Sequence, residues 1–209
     1  MAGVAFLDTA KWYDPLFTNV LSDLRNLAAR VAPFREGMKI LDIGCGTGKQ
    51  LTSYQNRGSE LFGIDLSLQM LRVAKFNLNG SAGLINGDAL HLPFPGLTFD
   101  LIMASLFLHQ LNAQLCSFVV AEAVRVLKPG GQLLLIDFHR TEDRSIKGNL
   151  TYFAISILEF FAGREHYNNS RQFLSQGGIP TLTDKWGLSL QKTIVLSNGN
   201  IGIYLLNLS

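Results

Sequence analysis

Apolar positions along this chain follow two rhythms, and the alternation between them predicts the architecture. Residues 15–31, PLFTNVLSDLRNLAARV, carry Leu16, Val20, Leu24, Leu27 and Val31 at helical spacing, with Asp23, Arg25 and Arg30 elsewhere on the wheel. One amphipathic helix is expected there. MKILDIG then reads as a buried strand ended by glycine, KQLTSYQNRG as a helix stopped by Gly58, and ELFGID as a second strand. Ser67 is placed to cap a helix over LQMLRVAKFNL, whose Leu68, Leu71, Val73 and Ala74 give it an apolar side. AGLING is a third, short strand and TFDLIMASLFL a fourth. QLCSFVVAEAVRVL is helical up to KPGG, where Pro129 and two glycines turn the chain into the strand QLLLIDF.

Such alternation of strand and helix implies an α/β fold with a parallel sheet covered on both faces, in which ligands bind beyond the carboxyl ends of the strands. The pattern changes after residue 140. Asn149 is expected to cap a helix over LTYFAISILEFF, apolar nearly all round and closed by Gly163. A helix through NSRQFLSQGG and a short one through PTLTDKWG follow. The strands LSLQKTIVL and IGIYLLNL, joined by SNGN, read as an antiparallel hairpin at the sheet edge, because Asn-Gly is a strong hairpin signal.

Composition narrows the picture. With 209 residues, 47% hydrophobic and 16% charged, the chain suits one well-filled core and is too short for two comfortable domains. A net charge of +2 without a Lys/Arg-rich block argues against a nucleic-acid partner. Cys45 and Cys116 form no CxxC pair and suit a reducing, cytoplasmic setting; no metal-ligand spacing occurs. The N-terminal MAGVAFLDTAKWYD lacks the marks of a signal peptide. LTYFAISILEFFAG, interrupted by Glu159, is too short to span a bilayer, although it leaves peripheral membrane contact open.

The candidate chemistry centres on KILDIGCGTGKQL, residues 39–51. A glycine-rich turn between strand and helix lets backbone N–H groups approach a ligand. The dinucleotide spacing G-x-G-x-x-G is not met: the glycines fall at 44, 46 and 48, with Lys49 in the third position, which speaks against NAD.

LDIGCGTG resembles the first motif of the class I S-adenosylmethionine (SAM) methyltransferases, GIDLSLQML their second, GDALHLPF their third, and VLKPGGQLLLID the segment entering their fifth strand. The match is collinear over roughly residues 38–138. The resemblance implies a Rossmann-like doubly wound sheet of five parallel strands plus an antiparallel sixth and seventh strand hairpin, with an N-terminal helix and a helical insertion after strand five. It also implies one domain, divided into a lid and helix (1–37), a SAM-binding core (38–138), an acceptor-side insertion (139–178) and C-terminal strands (179–209). Gly44, Cys45, Gly46 and Gly48 would carry the loop past the amino-acid end and ribose of SAM, Asp42 would receive its ammonium group, and Asp65 both ribose hydroxyls. Asp88, with Ala89 and Gly87 beside it, would take the adenine amine, between Leu66, Met70 and Leu90. Ser105 would face the methionine part, and S-adenosyl-L-homocysteine would be the product.

For the acceptor, His109 after the fourth strand and His139 after the fifth are candidate bases, needed only if the acceptor must lose a proton. KWYDPLF resembles the Tyr-Asp segment of the ubiquinone/menaquinone-biosynthesis type, which places Tyr13 near the sulfonium as a cofactor and catalytic candidate; Trp12 and Tyr13 packing the helix on the sheet is the alternative. The insertion holds Tyr152, Phe153, Ile155, Ile157, Leu158, Phe160 and Phe161, and near it Arg140, Arg144, Lys147, Arg164 and Arg171. Tyr152, Arg144, His166 and Tyr167 are the substrate-binding candidates. A small apolar or amphiphilic acceptor is expected, a quinone precursor or an aminophospholipid headgroup; the tail also resembles bacterial quinone and phospholipid methyltransferases. A soluble small molecule or natural product, and a SAM-binding protein without catalysis, remain as alternatives.

Overall fold

The computed structural model describes residues 21–139, 145–183 and 186–208, and within helix 146–162 not the side chains of 154, 155 and 157–162. Tyr13, Trp12, Arg140 and Arg144, the start of the first amphipathic segment, and Ile155, Ile157, Leu158, Phe160 and Phe161 of the insertion therefore lie outside the described parts.

Helix α1 is described over residues 21–31. Strands β1 (Lys39–Ile43), β2 (Glu60–Asp65), β3 (Ala82–Asn86), β4 (Phe99–Ser105) and β5 (Leu127–Phe138) run parallel, and β6 (Leu188–Leu196) and β7 (Ile201–Leu208) are antiparallel. They form one seven-stranded sheet in the order β3-β2-β1-β4-β5-β7-β6. The helices α2 (Leu68–Asn77), α3 (Ala113–Val126), α4 (Ile146–Ala162), α5 (Arg164–Ser175) and α6 (Gly178–Thr183) complete the described elements.

Strand alternation divides the core into two. Ile40, Leu101, Met103, Leu134 and Ile136 face α1 with Leu24, Ala28 and Val31. Leu41, Ile43, Ile102, Leu133 and Leu135 face α3 with Val119 and Ala123. Asp42 shares the α1 face with Ile40, because successive side chains point to opposite sides of a strand. This register carries a carboxylate into the interior directly under α1.

The hairpin departs from expectation in one respect: only β6 is an edge. β7 pairs with both β5 and β6, and Ile201–Leu206 are buried. The reason is visible in its residues, since Ile201, Ile203 and Leu205 enter one core and Tyr204 and Leu206 the other. A strand apolar on both faces belongs inside a sheet. β6 exposes Ser189, Gln191, Lys192 and Thr193, and a lysine suits a strand with an open side.

KQLTSYQNRG does not form the expected helix, only the single 3-10 turn Leu51–Tyr54. Thr52 Oγ1 donates to Lys49 O at 2.7 Å, a local bond that competes with helical pairing, and Gln55 donates to Leu78 O and Ser81 Oγ instead. KPGG is drawn into β5 as an irregularity: the register jumps from Phe99↔Leu127 to Leu101↔Gln132. Ser145, not Asn149, caps α4, its Oγ accepting from Gly148 N–H at 3.0 Å. Ser67 caps α2 as expected, accepting from Met70 N–H, and Asn112 caps α3. No helix among the described residues is long and apolar enough to cross a membrane.

The interior position of β7 is testable by truncation. Ile203→Ala should destabilise the fold by about 2–5 kcal/mol, whereas Val195→Ala on half-exposed β6 should cost less than about 1 kcal/mol, read from urea unfolding. Equal costs would contradict the interior placement.

Candidate functional site

The carboxyl ends of β1, β2 and β4 open into a cleft of about 500 Å³. Gly44 N–H and Cys45 N–H both donate to Ile64 O, at 2.9 and 3.1 Å, so the glycine loop crosses the end of β2. At Gly44, φ is +67°, and a Cβ would lie 2.5 Å from the Phe107 ring. Only glycine fits under that ring. Gly46, at φ +52°, has open space around it and turns its N–H to Asp65 Oδ2 at 2.8 Å. Gly48 faces away from the cleft: its Cβ position is filled by Ala74 of α2 and by Leu78, which follows that helix.

The other described residues expected around an adenosyl group line one cleft. Asp65 accepts Gly46 N–H and Ser67 N–H, one on each oxygen, and each oxygen keeps further acceptor capacity. Leu66, Met70, Gly87, Asp88, Ala89 and Leu90 form the wall beyond it, with Asp88 Oδ1 holding Leu90 N–H at 2.9 Å. Cys45 and Ser105 line the same space, and the Ser105 hydroxyl is buried without a partner.

Asp42 is strongly perturbed. It is 2% exposed, and Oδ1 has no hydrogen-bond partner. Burial, and next the charge of Asp65, push its carboxyl up to about 8, with Arg25 of α1 pulling the other way. A cationic amine placed here would supply the missing donor and favour the ionised form. The cleft thus fits a sulfonium nucleoside: an acceptor for an amine, an acceptor for a diol, and an apolar slot beside Asp88.

The candidate histidines lie outside the lining of this cleft. His109 is 3% exposed and does not line the cleft. Its Nδ1 bonds Asp137 Oδ1 at 2.5 Å, and its ring stacks on Phe138. Asp137 also accepts Leu108, His109 and Phe138 N–H groups, so the pair pins the loop after β4 to the end of β5. His166 meets the His109 ring edge-on at 5.4 Å. His139 bonds the Tyr204 hydroxyl through Nδ1, and burial lowers its pKa. With Tyr152, Tyr167 and Arg171 it surrounds a separate hollow of about 10 Å³, room for no more than a water. The Tyr167 hydroxyl accepts from Arg171.

Several contributors escaped the sequence. Arg25, Leu21 and Leu24 bring α1 to the cleft, and Phe107, Leu111, Leu115 and Val119 give it an apolar wall. Leu106 adopts φ +52°, uncommon for a branched residue, and turns the chain into that wall; Gln110 Nε2 fastens its carbonyl at 2.8 Å. Asn169 of α5 donates to Gln110 O, tying the insertion to the same loop. Gln50 lines the floor, 4% exposed. Nothing in its residue type marked it, since it lay within a segment read as helix.

Unfolded, Asp42 ionises near 3.8; folded, near 8, so between these values the folded chain holds a proton that the unfolded chain has released. The stability from that proton is full below about pH 4 and lost as pH rises through about 8. Asp42→Asn lacks this dependence, so its stability relative to the parent should rise across that window in the absence of ligand. Unfolding curves at a series of pH values check this, and a flat difference would contradict it.

A family model described as "Methyltransferase domain" matches residues 41–135. An uncharacterized methyltransferase of Synechocystis sp. is 37% identical over 117 residues, 56% of this chain and 52% of that protein. A demethylmenaquinone methyltransferase of Renibacterium salmoninarum is 32% identical over 134 residues, 64% of this chain and 55% of that protein. The chain spans about half the length of these curated relatives. Among solved structures, a SAM-dependent methyltransferase from Aquifex aeolicus superposes with a TM-score of 0.65 over 97% of each chain at 18% identity, a likeness of fold. The family model, the four collinear motifs and the sheet order agree that residues 41–135 carry a methyltransferase domain on the class I, SAM-dependent pattern.

Proposed function

We propose that this chain transfers a methyl group from SAM to a small, largely apolar acceptor, with a quinone precursor or an aminophospholipid headgroup as the leading candidates. The observation that carries the reading is the continuity of one cleft: the polar floor at Asp42 and Asp65 runs into an apolar wall at Phe107, Leu111 and Leu24. Bound SAM supplies an electrophilic methyl on a sulfonium, displaced in line by the acceptor. The protein's part is alignment and exclusion of water. Asp65 would hold the ribose hydroxyls and Asp42 the ammonium, Asp88 and Leu90 would frame the adenine, and Phe107 over Gly44 would close the side facing the acceptor.

No imidazole of the described residues lines that cleft. The reading therefore favours an acceptor that arrives nucleophilic, such as a phenolate, an enolate or a neutral amine. His109 would then act by holding the loop Leu108–Gln110 in place. The relative named for demethylmenaquinone supports a quinone-type acceptor. Ile146, Leu150 and Phe153, one exposed stripe of α4, support contact with a membrane surface from which such an acceptor would be drawn.

The test is transfer of labelled methyl from SAM to extracted lipids, to quinone precursors and to a panel of soluble amines and phenols. Label should enter the lipophilic set, and Asp65→Ala should reduce transfer at least about a hundredfold, by losing charge-assisted bonds to the ribose. Label confined to soluble acceptors would contradict the lipophilic reading, and full activity in Asp65→Ala would contradict the assigned cofactor site.

A further inference from the structure

Buried polar atoms are nearly always partnered, and the exceptions mark places where something else is meant to bind. Among the described residues, most of these exceptions gather at one place. Asp42 Oδ1, both Gln50 Nε2 and Oε1, the Tyr54 hydroxyl and the Ser105 hydroxyl are buried and unbonded; only Trp186 Nε1 stands elsewhere. Asp42, Gln50 and Ser105 all line the main cleft. Tyr54 lies behind, close enough to Asp42 that the carboxylate adds to the burial that raises the tyrosine's pKa.

Gln50 is the sharpest of these cases. A primary amide offers two donors and an acceptor that can take two bonds, and here none is used although the residue is 4% exposed. An amide buried in that condition destabilises the empty protein. A leucine in its place would remove that penalty, and no hydrogen bond among the described residues uses the amide.

What the surroundings lack defines the occupant. The floor presents a carboxyl at Asp42 and the cation of Arg25, which also lines the cleft, with the amide of Gln50 able to donate and accept. A group bearing an ammonium and a carboxylate on one carbon matches that set. We propose that Gln50 is a binding residue for the amino-acid end of the adenosyl cofactor, donating Nε2–H to the carboxylate and accepting an ammonium N–H at Oε1, and that it selects ligands that carry this end. The proposal rests on the methyltransferase reading and adds a residue that sets ligand choice within it.

The experiment compares S-adenosylhomocysteine with 5′-methylthioadenosine, which keeps adenine, ribose and thioether but lacks the amino acid. Both are titrated calorimetrically into the parent protein and Gln50→Leu, and thermal unfolding of each protein is followed without ligand. Gln50→Leu should weaken S-adenosylhomocysteine about ten- to hundredfold, change methylthioadenosine less than about twofold, and leave the ligand-free melting temperature equal or higher. Parallel loss of both ligands would overturn the proposal, because Gln50 would then only shape the loop. Unchanged affinity for S-adenosylhomocysteine, or a marked fall in the ligand-free melting temperature, would overturn it as well. If the parent protein bound neither ligand, the cofactor assignment itself would fall, and the subsite with it.

Discussion

The carboxylate of Asp65 joins three pieces of chain. One oxygen accepts Gly46 N–H and the other Ser67 N–H, both at 2.8 Å, while its own backbone closes β2. The glycine loop is thereby held over the sheet and the first turn of α2 is set beside it, with Ser67 free to cap that helix through its hydroxyl. The rest of the cleft follows from this tie. Gly44 can pass beneath Phe107 only because the loop is drawn across Ile64 O, and Leu66 and Met70 reach the cleft only because α2 starts where it does. A charged acceptor with fixed donors is a stronger anchor than neutral pairs, which suits a loop whose glycines resist no distortion of their own.

A second constraint sets the site's electrostatics. The register of β1 turns Asp42 inward on the α1 face, where burial and Asp65 oppose its ionisation and Arg25 favours it. Such a carboxyl is poorly satisfied until a cation arrives. Gln50 and Ser105 also bury polar atoms without partners, a cost to the empty fold concentrated at the floor of the cleft. The opposite end of the sheet's carboxyl edge is saturated instead: Asp137 collects three backbone donors and His109.

The five parallel strands are legible because apolar runs ending in glycine or acid are local signals, whereas Asp42, Asp65, Asp88 and Ser105 stand out only through the resemblance of their motifs to the methyltransferases. Periodicity after Gly48 is adequate for a helix, but Thr52 and Gln55 bond elsewhere, a competition that spacing does not register. The hairpin signal points to an edge for β7, yet IGIYLLNL is apolar on both parities, which suits an interior strand. His109 drew attention for its chemistry, while its partner Asp137 lies 28 residues away, and Gln50 has no signature outside the assembled cleft. Local rhythm reveals elements; long-range pairing decides which polar groups are left wanting.

Calorimetric titration of the protein with SAM, with NAD as control, decides whether this cleft holds an adenosyl cofactor. SAM should bind saturably at one site per chain, and NAD should not bind. Silence toward SAM in protein shown to be folded, or binding of NAD instead, would contradict that assignment.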